Sequence, residues 1–275
     1  MSEVWFITGA GRGFGRAFAE EAVKRGHLVI AGLRHIPEDD AFFKNKDVLP
    51  VRMDVTKPEE VKAAVQEGIK FFGRIDVLVN NAGFGMTGAF EETSDEDLRK
   101  LFETDYFGVV NVTREVLPIM RKQQSGKIFN VSSQGGVMGF AGSSAYCAAK
   151  FAVVGLSEVL RQELAPFHID VAAVCPGSFR TDFRKANSMH DVSLKIDAYN
   201  DTAVRKAGDF LHVNRSNQSG DPKKAAVFLC DMAAKDTLPS RIYIGERCCR
   251  EVKDMLYGQI KDIESYEEAS SKTDF

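Results

Sequence analysis

The chain has 275 residues, of which 44% are hydrophobic and 27% charged, so it carries ample material for a core and no compositional argument for disorder. That length suits one α/β domain. With 36 Lys plus Arg against 39 Asp plus Glu, the net charge of -3 offers no broad attraction to nucleic acid or anionic lipid.

Met1 leads directly into the apolar Val4-Trp5-Phe6-Ile7, without a basic flank or a small-residue cleavage site, and no apolar run reaches membrane-spanning length. A cytoplasmic protein without membrane association is expected. Short β-branched runs at 4–8, 28–33, 51–55, 75–80, 127–132 and 169–174 predict strands, and helical periodicity covers 16–25, 58–72, 94–121 and 143–164. Thr56 before Lys57-Pro58-Glu59-Glu60 reads as the N-cap of the second helix. This alternation predicts an α/β fold, a doubly wound parallel sheet with helices on both faces. After the sixth strand, residues at about 182–220 are polar and aperiodic, the place of a substrate loop at the ligand crevice. A helix from Asp221-Pro222 to Ala234, a strand at 241–244 and a helical segment at about 249–268 follow, with 269–275 a loosely held tail. The five cysteines, Cys147, Cys175, Cys230, Cys248 and Cys249, lack metal-site spacing and read as reduced structural thiols, so no metal is expected.

Thr8-Gly9-Ala10-Gly11-Arg12-Gly13-Phe14-Gly15 joins the first strand to the first helix. Glycines let the backbone approach a pyrophosphate, whose charge the helix N-terminus favours. The G-x-G-x-x-G spacing is not met, so this turn alone is a weak signal. Its spacing resembles the T-G-x-x-x-G-x-G loop of the short-chain dehydrogenase/reductase family. Further residues resemble that family in the same chain order: Asn80-Asn81-Ala82-Gly83, Ser133, Tyr146 with Lys150, and Pro176-Gly177 with Thr181. The resemblance implies a single Rossmann-type domain over residues 1–275 with a sheet of roughly seven strands. It extends broadly to the branch that includes 17β-hydroxysteroid and retinol dehydrogenases.

The second strand ends Ala31-Gly32-Leu33-Arg34. NAD-preferring Rossmann folds place a carboxylate here for the ribose 2′-hydroxyl, whereas a nearby Arg accommodates the NADP 2′-phosphate. Leu33 at the acid position, with Arg34 and Arg12 close by, resembles the NADP-preferring members, so NADP(H) is the expected cofactor. The resemblance assigns it Thr8, Gly9, Gly11, Arg12, Gly13, Phe14, Gly15 and Arg34. It adds Asp54 and Val55 near the adenine, Asn81, Ala82 and Gly83 near the adjacent ribose, and Tyr146, Lys150, Pro176, Gly177 and Thr181 around the nicotinamide.

Tyr146 and Lys150, four apart, share a helix face. A phenol with a pKa of about 10 is a poor acid or base at neutral pH, and a nearby ammonium should lower it. In the family this Tyr protonates the alkoxide, the Lys also holds the nicotinamide ribose, and Ser133 hydrogen-bonds the substrate oxygen. Ser132 competes for that role, with the family spacing favouring Ser133. Cys147 reads as a packing residue. One departure stands out: the family carries Asn where this chain has Asp105, and that Asn holds a water through its backbone carbonyl on a proton path from the Lys. The expected activity is interconversion of a ketone or aldehyde with an alcohol by hydride transfer, on a bulky, mostly apolar small-molecule substrate in a pocket lined by Phe84, Met86, Met138, Phe140, Phe179 and Phe183. A homodimer or homotetramer is expected from the family. The alternative is a non-catalytic NADP(H)-sensing regulator, which could lose Ser133, Tyr146 or Lys150 without penalty.

Overall fold

The computed structural model describes residues 2–184, 188–213 and 218–274, so 185–187 and 214–217 of the expected substrate loop, with Met1 and Phe275, lie outside the described residues. The described strands are β1 (Val4–Thr8), β2 (Leu28–Leu33), β3 (Val48–Arg52), β4 (Val77–Asn80), β5 (Gly85–Thr87), β6 (Gly126–Val131), β7 (Ile169–Pro176), β8 (Met189–Asp191) and β9 (Arg241–Ile244). The helices are α1 (Gly13–Lys24), α2 (Pro58–Phe72), α3 (Asp95–Phe102), α4 (Gly108–Gln123), α5 (Ser144–Leu164), α6 (Ala203–Val213), α7 (Pro222–Ala233) and α8 (Glu246–Ser270). None is long and apolar enough to cross a membrane.

Seven parallel strands stand in the order β3-β2-β1-β4-β6-β7-β9. Side chains alternate across each strand, and both faces are apolar, as a sheet covered on both sides requires. Trp5, Ile7, Val29, Val79 and Phe129 meet α1 and α7 on one face, while Val4, Phe6, Ile30, Leu78 and Ile128 meet α2 and α4 on the other. The chain moves from β1 outward to β3, then returns to place β4 on the opposite side of β1. This reversal leaves a crevice at the carboxyl ends of β1 and β4.

Several expectations are corrected. Strand β3 takes Val48–Arg52, three residues before the alternating run at 51–55, because its register on β2 pairs Val29 with Val48. Pro50 is tolerated there because β3 pairs only with β2 and needs no second row of donors. The helix expected over 94–121 is broken into α3 and α4 by a π-helical turn at Glu103–Phe107. Lys57, not Thr56, is the N-cap of α2, and the Thr56 hydroxyl donates instead to Asp54, 2.8 Å away. Residues 182–220, expected to be aperiodic, contain β8 and α6. The last helix begins at Glu246, taking Cys248 and Cys249 into its first turn, and runs to Ser270 through the start of the expected tail.

A buried polar chain ties the layers below the crevice. The Asn80 amide donates to Asn130 at 2.8 Å and to Thr113 of α4 at 2.9 Å, and the Asn130 amide donates to Ser157 of α5 at 3.0 Å. Removing one member strands the others, and each buried unsatisfied group costs about 1–3 kcal/mol. Asn130→Ala should therefore lower the unfolding free energy by about 1–3 kcal/mol, seen as a lower urea midpoint with an unchanged slope of the transition. An unchanged midpoint would show that the chain contributes nothing to stability.

Candidate active site

Thr8 sits buried where the first crossover leaves the sheet. Its hydroxyl accepts the N–H of Asn81 at 2.9 Å and of Ala82 at 3.0 Å, and the Asn81 amide donates to the Thr8 and Gly9 carbonyls at 3.0 and 3.3 Å. The loops after β1 and β4 are thus locked together. Gly9 (φ +65°) and Gly13 (φ +56°) adopt left-handed backbone that disfavours other residues. A Cβ at Gly15 would lie 2.4 Å from the Gly9 carbonyl and 2.5 Å from the Asn81 amide. Helix α1 starts at Gly13 with no side-chain cap and no acid in its first turn, which leaves its N-terminus suited to an anion.

Above these loops lies a cleft of about 1870 Å³. Of the residues expected to bind cofactor, all line it except Thr8 and Gly15, which are buried beneath as the tie and the close contact just described. Leu33 closes the end of β2 with no carboxylate, and Arg34 is exposed at the rim with His35. Asp54 accepts from the Thr56 N–H at 2.9 Å, which fixes its side chain at the same rim. Among the expected apolar lining, Phe84, Met86, Phe140, Phe179 and Phe183 face the cleft, whereas Met138 packs against the Val154, Cys175 and Cys248 cluster. The sequence did not point to Gln134, whose amide donates to Glu251 of α8 at 2.6 Å across the cleft wall. Its position next to Ser133 was the only available signal.

Tyr146 and Lys150 stand on one face of α5 against the end of β6. Ser133 follows β6, its hydroxyl accepting the Gly135 N–H at 3.0 Å, while the Ser132 hydroxyl donates to the Lys150 carbonyl at 2.9 Å and supports α5. Lys150 is buried. Its ammonium donates to the Val131 carbonyl at 3.1 Å, lies 3.1 Å from the Asp105 carboxylate, and stands 5.8 Å from the centre of the Tyr146 ring. Asp105 hangs from the π-helical turn with no solvent exposure and accepts the Phe84 N–H at 3.0 Å. It lies beneath Lys150, outside the cleft lining. A Cβ at Gly83 would come within 3.0 Å of its carboxylate, so glycine there makes room for it.

Burial pushes the Asp105 carboxyl above its ordinary pKa, opposed by Lys150 and the Phe84 N–H. Burial also works against the Lys150 ammonium, but the charges of Asp105 and Tyr146 more than offset it and the pKa ends raised. The Tyr146 phenol moves upward, contrary to the expectation from its neighbouring ammonium. Burial raises it first, Lys150 and the Ser133 hydroxyl pull it back, and the Asp105 charge adds to the rise. Cys147, between the two, is buried and its thiol is pushed up, as befits a packing residue.

A sheet of this order, with a glycine turn at its switch point and a Tyr–Lys pair beside a serine, is the arrangement that the sequence resemblance implies. The sequence profile of short chain dehydrogenases matches residues 3–191. The oxidoreductase BOA17 of Botryotinia fuckeliana is 41% identical over 249 residues, 89% of each chain. The 3-ketodihydrosphingosine reductase of Bacteroides thetaiotaomicron is 38% identical over 247 residues, 88% of each chain. A solved short-chain dehydrogenase from Streptomyces avermitilis superposes with a TM-score of 0.92 at 38% identity, covering 100% of both chains. The chain belongs to the short-chain dehydrogenase/reductase family and is an oxidoreductase of that type.

Asp105→Asn would remove a buried negative charge at almost constant volume. Whichever of Tyr146 and Lys150 then releases its proton, that proton should leave at lower pH, because the two sites titrate as a pair. An ultraviolet difference titration, each protein read against its own Tyr146→Phe background, measures the shift. Superimposable curves would show that the pair does not feel the Asp105 charge.

Proposed function

We propose that this protein is an NADP(H)-dependent reductase or dehydrogenase that interconverts a ketone or aldehyde with an alcohol. The observation that carries the proposal is the juxtaposition of Tyr146, Lys150 and Ser133 beside a cleft whose glycine loop leaves no room for a Cβ at Gly15. A dinucleotide fits the groups present. The α1 N-terminus and Gly9, Gly11 and Gly13 suit its pyrophosphate, Asp54, Val55 and Asn81 to Gly83 its adenosine half, and Pro176, Gly177 and Thr181 its nicotinamide end. Leu33 offers no carboxylate to a ribose 2′-hydroxyl, while Arg12 and Arg34 suit a 2′-phosphate, which supports NADP(H) over NAD(H).

When bound, the reduced cofactor supplies the hydride. Ser133 and Tyr146 orient the substrate oxygen, and Tyr146 gives its phenolic proton to the oxygen as negative charge develops there. Lys150 serves as the positive charge that stabilises the phenolate left behind, and it would also hold the ribose of a bound cofactor. Asp105, ion-paired beneath, keeps Lys150 protonated while it opposes the phenolate. In the oxidation direction the same groups run in reverse. Phe84, Met86, Phe140 and Phe183 favour a small molecule with an apolar body. The Bacteroides relative is named as a reductase of a 3-keto compound, in keeping with a carbonyl substrate. We place the enzyme in the cytoplasm as one domain over residues 1–275. Phe151 and Val159, exposed on α5 at 46% and 51%, support assembly as a homodimer or homotetramer.

Two measurements test this reading. Arg34→Ala should weaken NADPH about tenfold or more, the scale of a charge-assisted contact, and leave NADH nearly unchanged. Equal losses for both cofactors would remove the NADP(H) assignment. Tyr146→Phe keeps the ring but deletes the transferable proton, so turnover of a carbonyl panel should fall by about 10² or more with NADPH still bound. Near-normal turnover would exclude Tyr146 as the acid, and absence of any turnover by the native protein would favour a sensor.

A further inference from the structure

Away from the reaction centre, Glu92 is a carboxylate with no side-chain exposure, placed in the short 3-10 turn Phe90–Glu92 that precedes α3. Its oxygens accept the Ala89 N–H of its own turn at 2.9 Å and the Ile196 N–H at 2.7 Å. They also take both terminal nitrogens of Arg205 on α6, one of them at 2.8 Å. Arg205 closes the set by donating to the Ile196 carbonyl at 3.3 Å. One buried carboxylate thus joins the body of the protein to both ends of residues 196–205.

A buried carboxylate is tolerated only when its lone pairs are filled, and three of its four donors belong to the 196–205 segment. Unseating that segment would strand the Glu92 charge, so the pair couples the position of α6 to the body. Arg205 beside it holds the Glu92 carboxyl down to about 2, which keeps the pair ionised through the neutral range. What the segment carries bears on the cleft: Ala207, Phe210 and Leu211 of α6 line it, as do Phe84, Met86 and Phe183 from the body. Phe183 in turn lies 5.9 Å from the Tyr146 ring. Glu92 itself does not line the cleft.

We infer that the Glu92–Arg205 pair is a positioning device that seats α6 as an apolar wall of the substrate pocket and so selects carbonyl substrates with an extended apolar tail. This rests on reading the cleft as a carbonyl site. The wall acts on the tail and the Tyr146 centre acts on the carbonyl. Disturbing the pair therefore affects substrates according to the length of the tail that they place against α6.

The test compares the native protein with Glu92→Gln, and with Arg205→Met, which breaks the same pair from the α6 side. Binding of 2-butanone and 2-nonanone to the protein–NADP+ complex is measured by calorimetry, where no hydride can move, and amide hydrogen exchange is followed over residues 196–211. Each buried methylene adds severalfold to affinity, so the native protein should prefer 2-nonanone by about tenfold or more. Both variants should lose about fivefold or more of that preference, with 2-butanone and NADP+ affinities unchanged and exchange faster in 196–211 but not in β1, β4 or β6. A preserved preference, native exchange in 196–211, or loss of protection throughout the sheet in both variants would overturn the inference. So would a native protein without chain-length preference. Failure of the underlying reading would look different: the native protein would reduce no carbonyl with either cofactor.

Discussion

An ammonium held out of water must be compensated where it stands, and Lys150 is such a group, with 4% of its surface exposed. Its partners come from three separate elements: the Asp105 carboxylate from the turn between α3 and α4, the Val131 carbonyl from the end of β6, and the Tyr146 ring from its own helix. Each partner constrains its element. The π-helical turn at Glu103–Phe107 carries Asp105 inward, and glycine at 83 leaves room for that carboxylate, which a Cβ there would approach to 3.0 Å. Ser132, which donates to the Lys150 carbonyl, fixes α5 against β6. The charge at the centre of the site thereby sets the approach of α5, β6 and the loop after β4 to one another.

The same loop connects the buried ion pair to the glycine turn. Asn81 and Ala82 are held by the Thr8 hydroxyl, while Phe84, two residues on, gives its N–H to Asp105. The four residues 81–84 therefore span the distance between the glycine turn and the buried ion pair. A shift of the β4 loop would disturb both, which makes Thr8 and Gly15 important to the site although neither lines the cleft. Their role is to hold the loops in place, and it is carried by hydrogen bonds and by the absence of a side chain.

The legible part of the sequence was whatever local patterning controls. Strands β1, β2 and β9 fall where their apolar runs stand, and the glycine turn and the Tyr146–Lys150 pair announce themselves by spacing. What escaped depends on partners distant in sequence. Strand β3 starts at Val48 because β2 offers that register, and no property of residues 51–55 themselves forbids the alternative. The break at Glu103–Phe107 carries no Pro, and its glycine at 108 lies past it, so periodicity alone continues the helix. The direction of the Tyr146 shift also required burial, which a sequence does not display, and burial outweighs the Lys150 charge that spacing revealed. Short strands such as β5 and β8, three residues each, exist only as a pair and have no signal apart from one another.

This contrast separates two kinds of construction within one cleft. Ser133 follows β6, and Tyr146 and Lys150 stand on the face of α5 that packs against the sheet, so their positions are determined by that packing. The 189–205 segment is held to the body by Val192 in the apolar cluster with Met86 and Leu101 and by polar contacts: Thr87 with Asp191, the backbone pairing of β5 with β8, and Arg205 with Glu92. Polar contacts are directional and can be replaced individually, whereas a core rearranges only as a whole. On the proposed reading, changes near residues 92 and 205 alter what the cleft accepts while leaving the Tyr146 centre untouched. The physical reason is that the Glu92–Arg205 contact is a separable pair, whereas the packing that positions Tyr146 and Lys150 is shared with the sheet.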